Sequence, residues 1–383
     1  MTPEAQRVQW TEGGVALTAR WRSEAGNAPP KRVQVALDTL TADAAFRLAS
    51  EGTALLWRSD FHNARQLLQA MGRRADRKPR KAALVPASLT ETFHLHRQAQ
   101  GQRARTLGRL LIELQGDYGI ALPRAPDLRE ACEEAWGPAD GERALVSLRE
   151  LQGLVGAHEW RRKGVEVPQL GAPPANRIHP HYGVFSPVRG EYLQLVAAAP
   201  LPSTGLAFDI GTGTGVLAAI LARRGVTHVV ATDMDPRALA CARDNMARLD
   251  LQGQVEVIEA DLFPEGRAPL VVCNPPWLPG RASAPLERAI YDEDSRMLRG
   301  FLQGLPAHLA PGGEGWLVLS DLAEHLGLRS RGELLAQFAA AGLKVLGRLD
   351  APPSSRAARD KDDPLYFARS KEVVSLWRLG PST

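Results

Sequence analysis

The chain of 383 residues has only three cysteines, Cys132, Cys241 and Cys273, and no Cys-x-x-Cys pair. That excludes a disulfide framework and a cysteine-rich zinc site, and a cytoplasmic location is expected. No apolar run approaches the ~18–20 residues of a membrane helix, so no membrane partner is expected. The opening MTPEAQRVQW lacks the basic-then-apolar layout of a secretory signal. Charge of one sign is not in large excess either: the formal net charge is +4, with 44% hydrophobic and 23% charged residues. Such a balance excludes wholesale disorder and fibrous structure. Internal repeats are lacking as well. A chain of this length buries a large core without cross-links, and at ~100–200 residues per domain it makes two domains or three.

What charge there is clusters. Between Trp57 and Arg109 twelve Lys/Arg face three acids, which leaves that segment at +9 and the remainder at −5. The cluster is either an electrostatic footprint for a polyanion or a solvated face of an Arg-rich protein.

Thr53–Trp57 reads as a strand, and Asp60 as the cap of a helix through Gly72 with Ala64, Leu67, Leu68 and Met71 on one face. A basic, Pro-containing break falls at Arg77–Lys81. Leu107–Leu114 and Glu142–Leu154 read as helices. His94 and His96 stand two apart with no third ligand nearby, so no metal is expected. Residues 164–178 hold three Pro and two Gly and read as a linker between domains at 1–163 and 179–383.

Beyond Ser203 strands alternate with helices. Strand candidates are Leu206–Asp209, His228–Thr232, Val255–Glu259, Leu270–Cys273 and Trp316–Ser320. Helices run from Val216 to Arg224 and from Pro236 to Arg248. This alternation predicts a doubly wound α/β sheet with helices on both faces. Leu343–Leu349 and Val373–Leu379, with no long helix between them, are expected as an antiparallel pair at one sheet edge.

The glycine loop Asp209-Ile-Gly211-Thr212-Gly213-Thr-Gly215 falls at a strand-to-helix turn, where glycines let the backbone approach a ligand. It has no Gly-Lys-Ser/Thr ending, and its third glycine comes two residues after the second. Both the phosphate-cradling loop and the dinucleotide fingerprint are therefore disfavoured. Asp209 would repel a pyrophosphate and welcome an ammonium or sulfonium. Asp233, 24 residues after Asp209, ends the next strand, where a carboxylate accepts both hydrogen bonds of a ribose diol. Met234 follows it, and Asp235 is the second choice. Asp261 after the third strand suits an adenine amino group, with the Leu262 amide at the ring. The alternative for any single acid is a helix N-cap.

Asn274-Pro275-Pro276-Trp277 follows the fourth strand candidate. Consecutive prolines stiffen the backbone and leave carbonyls projecting. Asn274 offers an acceptor and Trp277 a planar face, a set suited to a flat group carrying –NH2. The alternative is an Asx-Pro turn with a packing Trp. Leu278–Asp294 reads as a substrate-facing loop or lid, or as a surface insertion. Arg189 and Glu191 border the pocket or form a structural salt bridge.

Asp209–Gly215, Asp233, Asp261 and Asn274–Trp277, in this order and spacing, resemble the class I S-adenosylmethionine-dependent methyltransferases. Within them the closest resemblance is to the branch that methylates amino and amide nitrogens through an (Asn/Asp)-Pro-Pro-aromatic motif. It covers about residues 179–379. It implies a Rossmann-like seven-stranded sheet whose last strand is antiparallel. It implies S-adenosylmethionine as cofactor, held by Asp209, Gly211, Thr212, Gly213, Gly215, Asp233, Met234, Asp261, Leu262 and Asn274. Catalysis would then fall to Asn274, Pro275, Pro276 and Trp277, with Arg189 and Trp277 on the acceptor.

Two subfamilies compete. Gly183-Val184-Phe185-Ser186 is similar to a segment of the ribosomal RNA guanine exocyclic-amine methyltransferases. Those carry a catalytically silent N-terminal domain, which makes residues 1–163 a substrate-recognition domain of mixed α/β or mostly helical build, Rossmann-like by analogy. Ala231–Pro236 through Asn245, with Asp261, look more like the enzymes that methylate a release-factor glutamine. Position 277 departs from both: the first group usually has Phe there and the second Tyr. The expected acceptor is nucleic acid, ribosomal RNA first; the alternative is a protein glutamine amide.

Overall fold

The computed structural model describes residues 6–77, 87–282, 285–353 and 356–382. Contacts divide them into two units, one of residues up to 77 with 94–159, the other of 87–93 with 160–382. The break expected at Arg77–Lys81 lies, from residue 78 on, outside the described residues.

The first unit runs β1 (Arg7–Glu12), β2 (Val15–Arg22), β3 (Val33–Ala36), α1 (Ala42–Ser50), β4 (Ala54–Trp57), α2 (Phe61–Ala75), α3 (Leu89–Leu107), β5 (Leu110–Leu114), α4 (Arg129–Trp136), β6 (Ala144–Ser147) and α5 (Leu148–Lys163). Of α3 and α5, residues 94–107 and 148–159 belong to it. Its sheet has the order β1-β2-β6-β5-β4-β3. Strands β3, β4 and β5 are parallel, and β6 is antiparallel to β5. The build is mixed α/β, and the mostly helical alternative does not hold. Asp60 caps α2, accepting from the His62 amide at 2.8 Å.

Two helix expectations fail here. Residues 110–114 of the expected helix Leu107–Leu114 are strand β5, and Ala144–Ser147 of the expected helix Glu142–Leu154 are β6. Both strands are buried at every position. A short apolar run covered on both faces has no period by which to tell strand from helix. The one acid in β5, Glu113, is tolerated because Arg58 and Arg143 both pair with it.

The second unit runs β7 (Val165–Glu166), β8 (Arg177–Ile178), α6 (Glu191–Ala198), β9 (Leu206–Ile210), α7 (Val216–Arg223), β10 (His228–Asp233), α8 (Pro236–Arg248), β11 (Val255–Glu259), β12 (Ala268–Cys273), β13 (Leu278–Pro279) and β14 (Tyr291–Asp292). It continues with α9 (Arg296–His308), β15 (Leu309–Ser320), α10 (Leu322–His325), α11 (Arg331–Ala340), β16 (Leu343–Ala351), α12 (Tyr366–Arg369) and β17 (Val374–Pro381). Seven strands form one sheet, β11-β10-β9-β12-β15-β17-β16. Strand β17 is antiparallel to both its neighbours. Alternate residues of β15 serve opposite faces: Trp316 and Val318 pack with α6 and α7, Leu317 and Leu319 with α9 and α11. Helices thus cover both faces, and the strand order reverses between β9 and β12. Sheets of this kind bind ligands at such a reversal, beyond the carboxyl ends of the strands.

The linker expected at 164–178 is not one. Val167, Leu170 and Ile178 are 0%, 4% and 0% exposed in the second unit's core, and β7 pairs with β8. Pro and Gly punctuate this stretch, but the apolar residues between them are buried. The division by contacts falls instead between residues 159 and 160.

Candidate active site

Register brings the sequence motifs together. In the parallel ladder Ile210 stands opposite both Thr232 and Cys273, and Asp233 opposite Glu259. The residues just beyond these positions are the glycine loop, Met234, the segment to Asp261, and Asn274. All four motifs therefore leave the sheet at one end, on adjacent strands.

The glycine loop is built on left-handed backbone: Gly211, Gly213 and Gly215 have φ of +69°, +56° and +81°. A side-chain carbon at Gly211 would overlap the Met297 methyl. At Gly215 it would meet the Met246 methyl at 2.8 Å, whereas the space beside Gly213 is open. Asp209 lies beneath this loop, 1% exposed. Its Oδ2 accepts from the Thr212 hydroxyl at 2.6 Å and the Ala218 amide at 3.1 Å, tying the loop to the first turn of α7. Burial pushes its carboxyl up to about 6, against those two hydrogen bonds.

That shift has a sign for stability. The folded value lies above the ordinary value of about 3.9, so the ionised form is penalised in the fold. The cost is fully present above pH 6 and is relieved as pH falls from 6 towards 4. Asp209→Asn is expected to raise the melting temperature by about 2–6 °C at pH 8. The gain should shrink towards pH 4. Thermal melts at the two pH values check this, and a gain independent of pH would overturn it.

Asp233 ends β10. Its Oδ2 accepts from the Gly213 amide and its Oδ1 from the Asp235 amide, both at 3.0 Å. Burial raises its carboxyl above the ordinary value. Asp235, the second choice for this role, is instead the N-cap of α8, accepting from the Arg237 amide at 2.9 Å. Met234 is 52% exposed at the strand end.

Asp261 is exposed and pairs with Arg296 at 3.1 Å. Leu262 has φ +73°, a conformation that costs a non-glycine residue about 1–2 kcal/mol. The Thr232 hydroxyl holds it there, donating to the Leu262 carbonyl at 2.5 Å. A cavity of about 340 Å³ opens beside the two, lined also by Arg296, Arg299 and Gly300 of α9.

In the Asn274–Trp277 motif the indole Nε1–H donates to Asn274 Oδ1 at 2.8 Å. The Arg189 guanidinium lies over the Trp277 ring, 4.8 Å from its centroid. Arg189 pairs with Glu191 at 2.8 Å and Glu372 at 3.1 Å, two carboxylates whose side chains are 2% exposed. The Ser320 hydroxyl also donates to Glu372, at 2.6 Å. Arg189 is thus a paired cation that covers one face of Trp277, and the structural salt bridge read from the sequence is present.

Beyond the motif, Leu278 and Tyr291 pack with Phe93 and Leu326, and β13 pairs with β14. Of the expected loop, residues 283 and 284 lie outside the described residues. Among the described residues no group of three or more His, Cys, Asp or Glu could hold a metal ion. Nor is any helix long and apolar enough to cross a membrane.

Sequence reasoning gave no individual role to several residues here. Asp292, 7% exposed, accepts from the Met297 and Leu298 amides at 3.0 Å and so anchors the start of α9. Asn245, fully buried, accepts from the His179 amide at 2.7 Å and donates to the Thr214 carbonyl at 3.0 Å. An acid just ahead of an amphipathic run signals the first. Nothing local signals Glu372, 183 residues from Arg189.

Residues 175–338 match the family model described as Methyltransferase small domain. The release factor glutamine methyltransferase of Cereibacter sphaeroides is 34% identical over 140 residues, 33% of this chain and 50% of that protein. The ribosomal protein L11 methyltransferase of Pelotomaculum thermopropionicum is 36% identical over 38% of this chain and 40% of its own. The ribosomal RNA small subunit methyltransferase C of Alcanivorax borkumensis is 32% identical over 36% and 40% respectively. The chain spans about half the length, or less, of these curated relatives. Over residues 175–338, which hold the glycine loop, the strand-end acids and the reversed sheet, the chain is similar to the methyltransferase small-domain family and reads as a class I S-adenosylmethionine-dependent methyltransferase.

Proposed function

We propose that this chain methylates the exocyclic amino nitrogen of a nucleic-acid base, ribosomal RNA being the first candidate. The observation that carries this reading is the hydrogen bond from the Trp277 indole to Asn274 Oδ1 beside the glycine loop. A carboxamide oxygen has two lone pairs. One is taken by the indole, which orients the amide, and the other is left for a proton of the acceptor –NH2. The Pro275 carbonyl takes the second proton. Where the half-buried Trp277 ring meets the base, stacking is worth ~1–3 kcal/mol.

The residues fit the cofactor. Asp233 retains lone pairs for a ribose diol, and the open space at Gly213 admits a ligand against backbone. When bound, S-adenosylmethionine supplies a methyl group activated by its sulfonium. The acceptor nitrogen is weak because its lone pair is delocalised. Asn274 and Pro275 hold its two protons out of the ring plane and so favour a pyramidal nitrogen. Those hydrogen bonds strengthen as positive charge develops on nitrogen, which is stabilisation specific to the transition state. The new C–N bond forms as the C–S bond breaks, and the surplus proton passes to water, so no strong base is required.

The relatives named release factor glutamine methyltransferase support a second reading, a protein glutamine amide in the same clamp. Label transfer from methyl-tritiated S-adenosylmethionine into an extract lacking this protein separates the two. Asn274-dependent counts that vanish with ribonuclease are expected. Counts that vanish only with protease would move the acceptor to protein. No Asn274-dependent counts in either fraction would overturn both.

A further inference from the structure

We infer that the first unit carries an RNA-backbone site of its own, a groove between α2, α3 and α5 armed by Arg73, Arg103 and Arg149. The groove has a volume of about 430 Å³ and an apolar floor that includes Leu68 and Leu107. Each of the three helices contributes one arginine to its lining. Gln69 and Arg73 are four apart on α2, Arg103 and Leu107 four apart on α3, Arg149 and Gln152 three apart on α5. Such spacings put each pair on one helix face.

The arginines are not equivalent. Arg103 is fixed by a two-point contact with Asp76, Nε to Oδ1 at 2.7 Å and Nη2 to Oδ2 at 3.1 Å. Gly72 leaves room for that guanidinium to lie across α2: a side-chain carbon there would meet Arg103 Nη2 at 3.3 Å. Arg73 and Arg149 are exposed, and no ion pair engages either among the described residues. Three guanidinium groups against the single carboxylate of Asp76 leave the groove a net cation. Ion pairs elsewhere in this unit neutralise their arginines, as Asp43 does for Arg74 and Asp117 for Arg129.

Unpaired guanidinium groups present forked donors that match phosphate oxygens, and their planes stack on bases. The glutamines supply donors and acceptors for ribose hydroxyls. Helices α2 and α3 also lie largely in the segment that carries +9, so the longer-range field draws a polyanion to this face. Only the choice of polyanion rests on the RNA reading above. Binding here is measured without methyl transfer, so its failure and the failure of the methyltransferase reading are separate results.

The test uses the full chain and a short fluorescein-labelled RNA stem-loop, followed by fluorescence anisotropy across a salt titration. A polyglutamate peptide serves as the second polyanion. The double variant Arg73→Glu/Arg149→Glu is expected to bind the RNA at least ~10-fold more weakly, with the slope of log K against log salt reduced by about 2. Its S-adenosylhomocysteine affinity should be unchanged, which reports an intact second unit, and its far-ultraviolet circular dichroism should match the parent's, which reports that the mutated first unit is folded. Lys344→Glu/Lys371→Glu, an equal charge change at exposed positions of the second unit, should lose much less. Equal loss in both double variants would reduce the effect to net charge and overturn the site. So would no RNA binding by the parent chain, or polyglutamate bound as tightly as RNA.

Discussion

Asn274→Ala is expected to lower methyl-transfer turnover by about 10²–10³-fold while S-adenosylhomocysteine affinity stays within about threefold. The split follows from where the side chain acts. Its Oδ1 already accepts from the Trp277 indole at 2.8 Å, so the amide is oriented before any acceptor arrives. Removing it abolishes one of two hydrogen bonds that strengthen as the acceptor nitrogen gains charge, and it frees the indole to turn. The cofactor's other proposed contacts, at the glycine loop and Asp233, are untouched. Single-turnover rates beside calorimetric titration would check this. Equal losses in rate and in affinity would assign Asn274 to cofactor binding instead.

Asp233→Ala should act in the opposite sense, weakening S-adenosylhomocysteine by at least about 10²-fold. Two hydrogen bonds from a ribose diol to a carboxylate are lost, each worth about 1.5–3 kcal/mol when the acceptor is charged. A second loss adds to it: Oδ2 accepts from the Gly213 amide and Oδ1 from the Asp235 amide. Alanine leaves both donors without their partner and loosens the loop that the ligand needs. Asp233→Asn keeps one acceptor oxygen and should fall between the two. Titration calorimetry with S-adenosylhomocysteine reads the series, and an alanine variant that binds normally would remove Asp233 from the cofactor site.

Much of this site was legible in the sequence because its logic is local. A strand end followed by glycines leaves the backbone few choices, so the strand before the loop and the helix from Val216 fall within a residue of expectation. Asp235 shows the limit of the same reasoning, since a carboxylate ahead of Pro236 serves equally as a ligand or a cap, and here it caps. Long-range pairing was not legible. Arg189 was visible beside Glu191, but its second carboxylate comes from Glu372. The first unit was read least well because β5 and β6 are buried on both faces. Without alternation, hydrophobicity reports burial and not conformation.

The overlap between Gly211 and the Met297 methyl has a spectroscopic consequence. The chain has only five methionines; two of them pack against the glycine loop and a third follows Asp233. Met297 lies over Gly211, Met246 beside Gly215, and Met234 follows Asp233 in the chain. Met71 is sealed in the first unit at 0% exposure. Carbon-13 labelling of the methionine methyls would give a short, well-separated set of nuclear resonances. The Met297 and Met234 signals would report a ligand at the loop, the buried Met246 would report movement of the loop itself, and the Met71 signal would serve as an internal standard from the first unit.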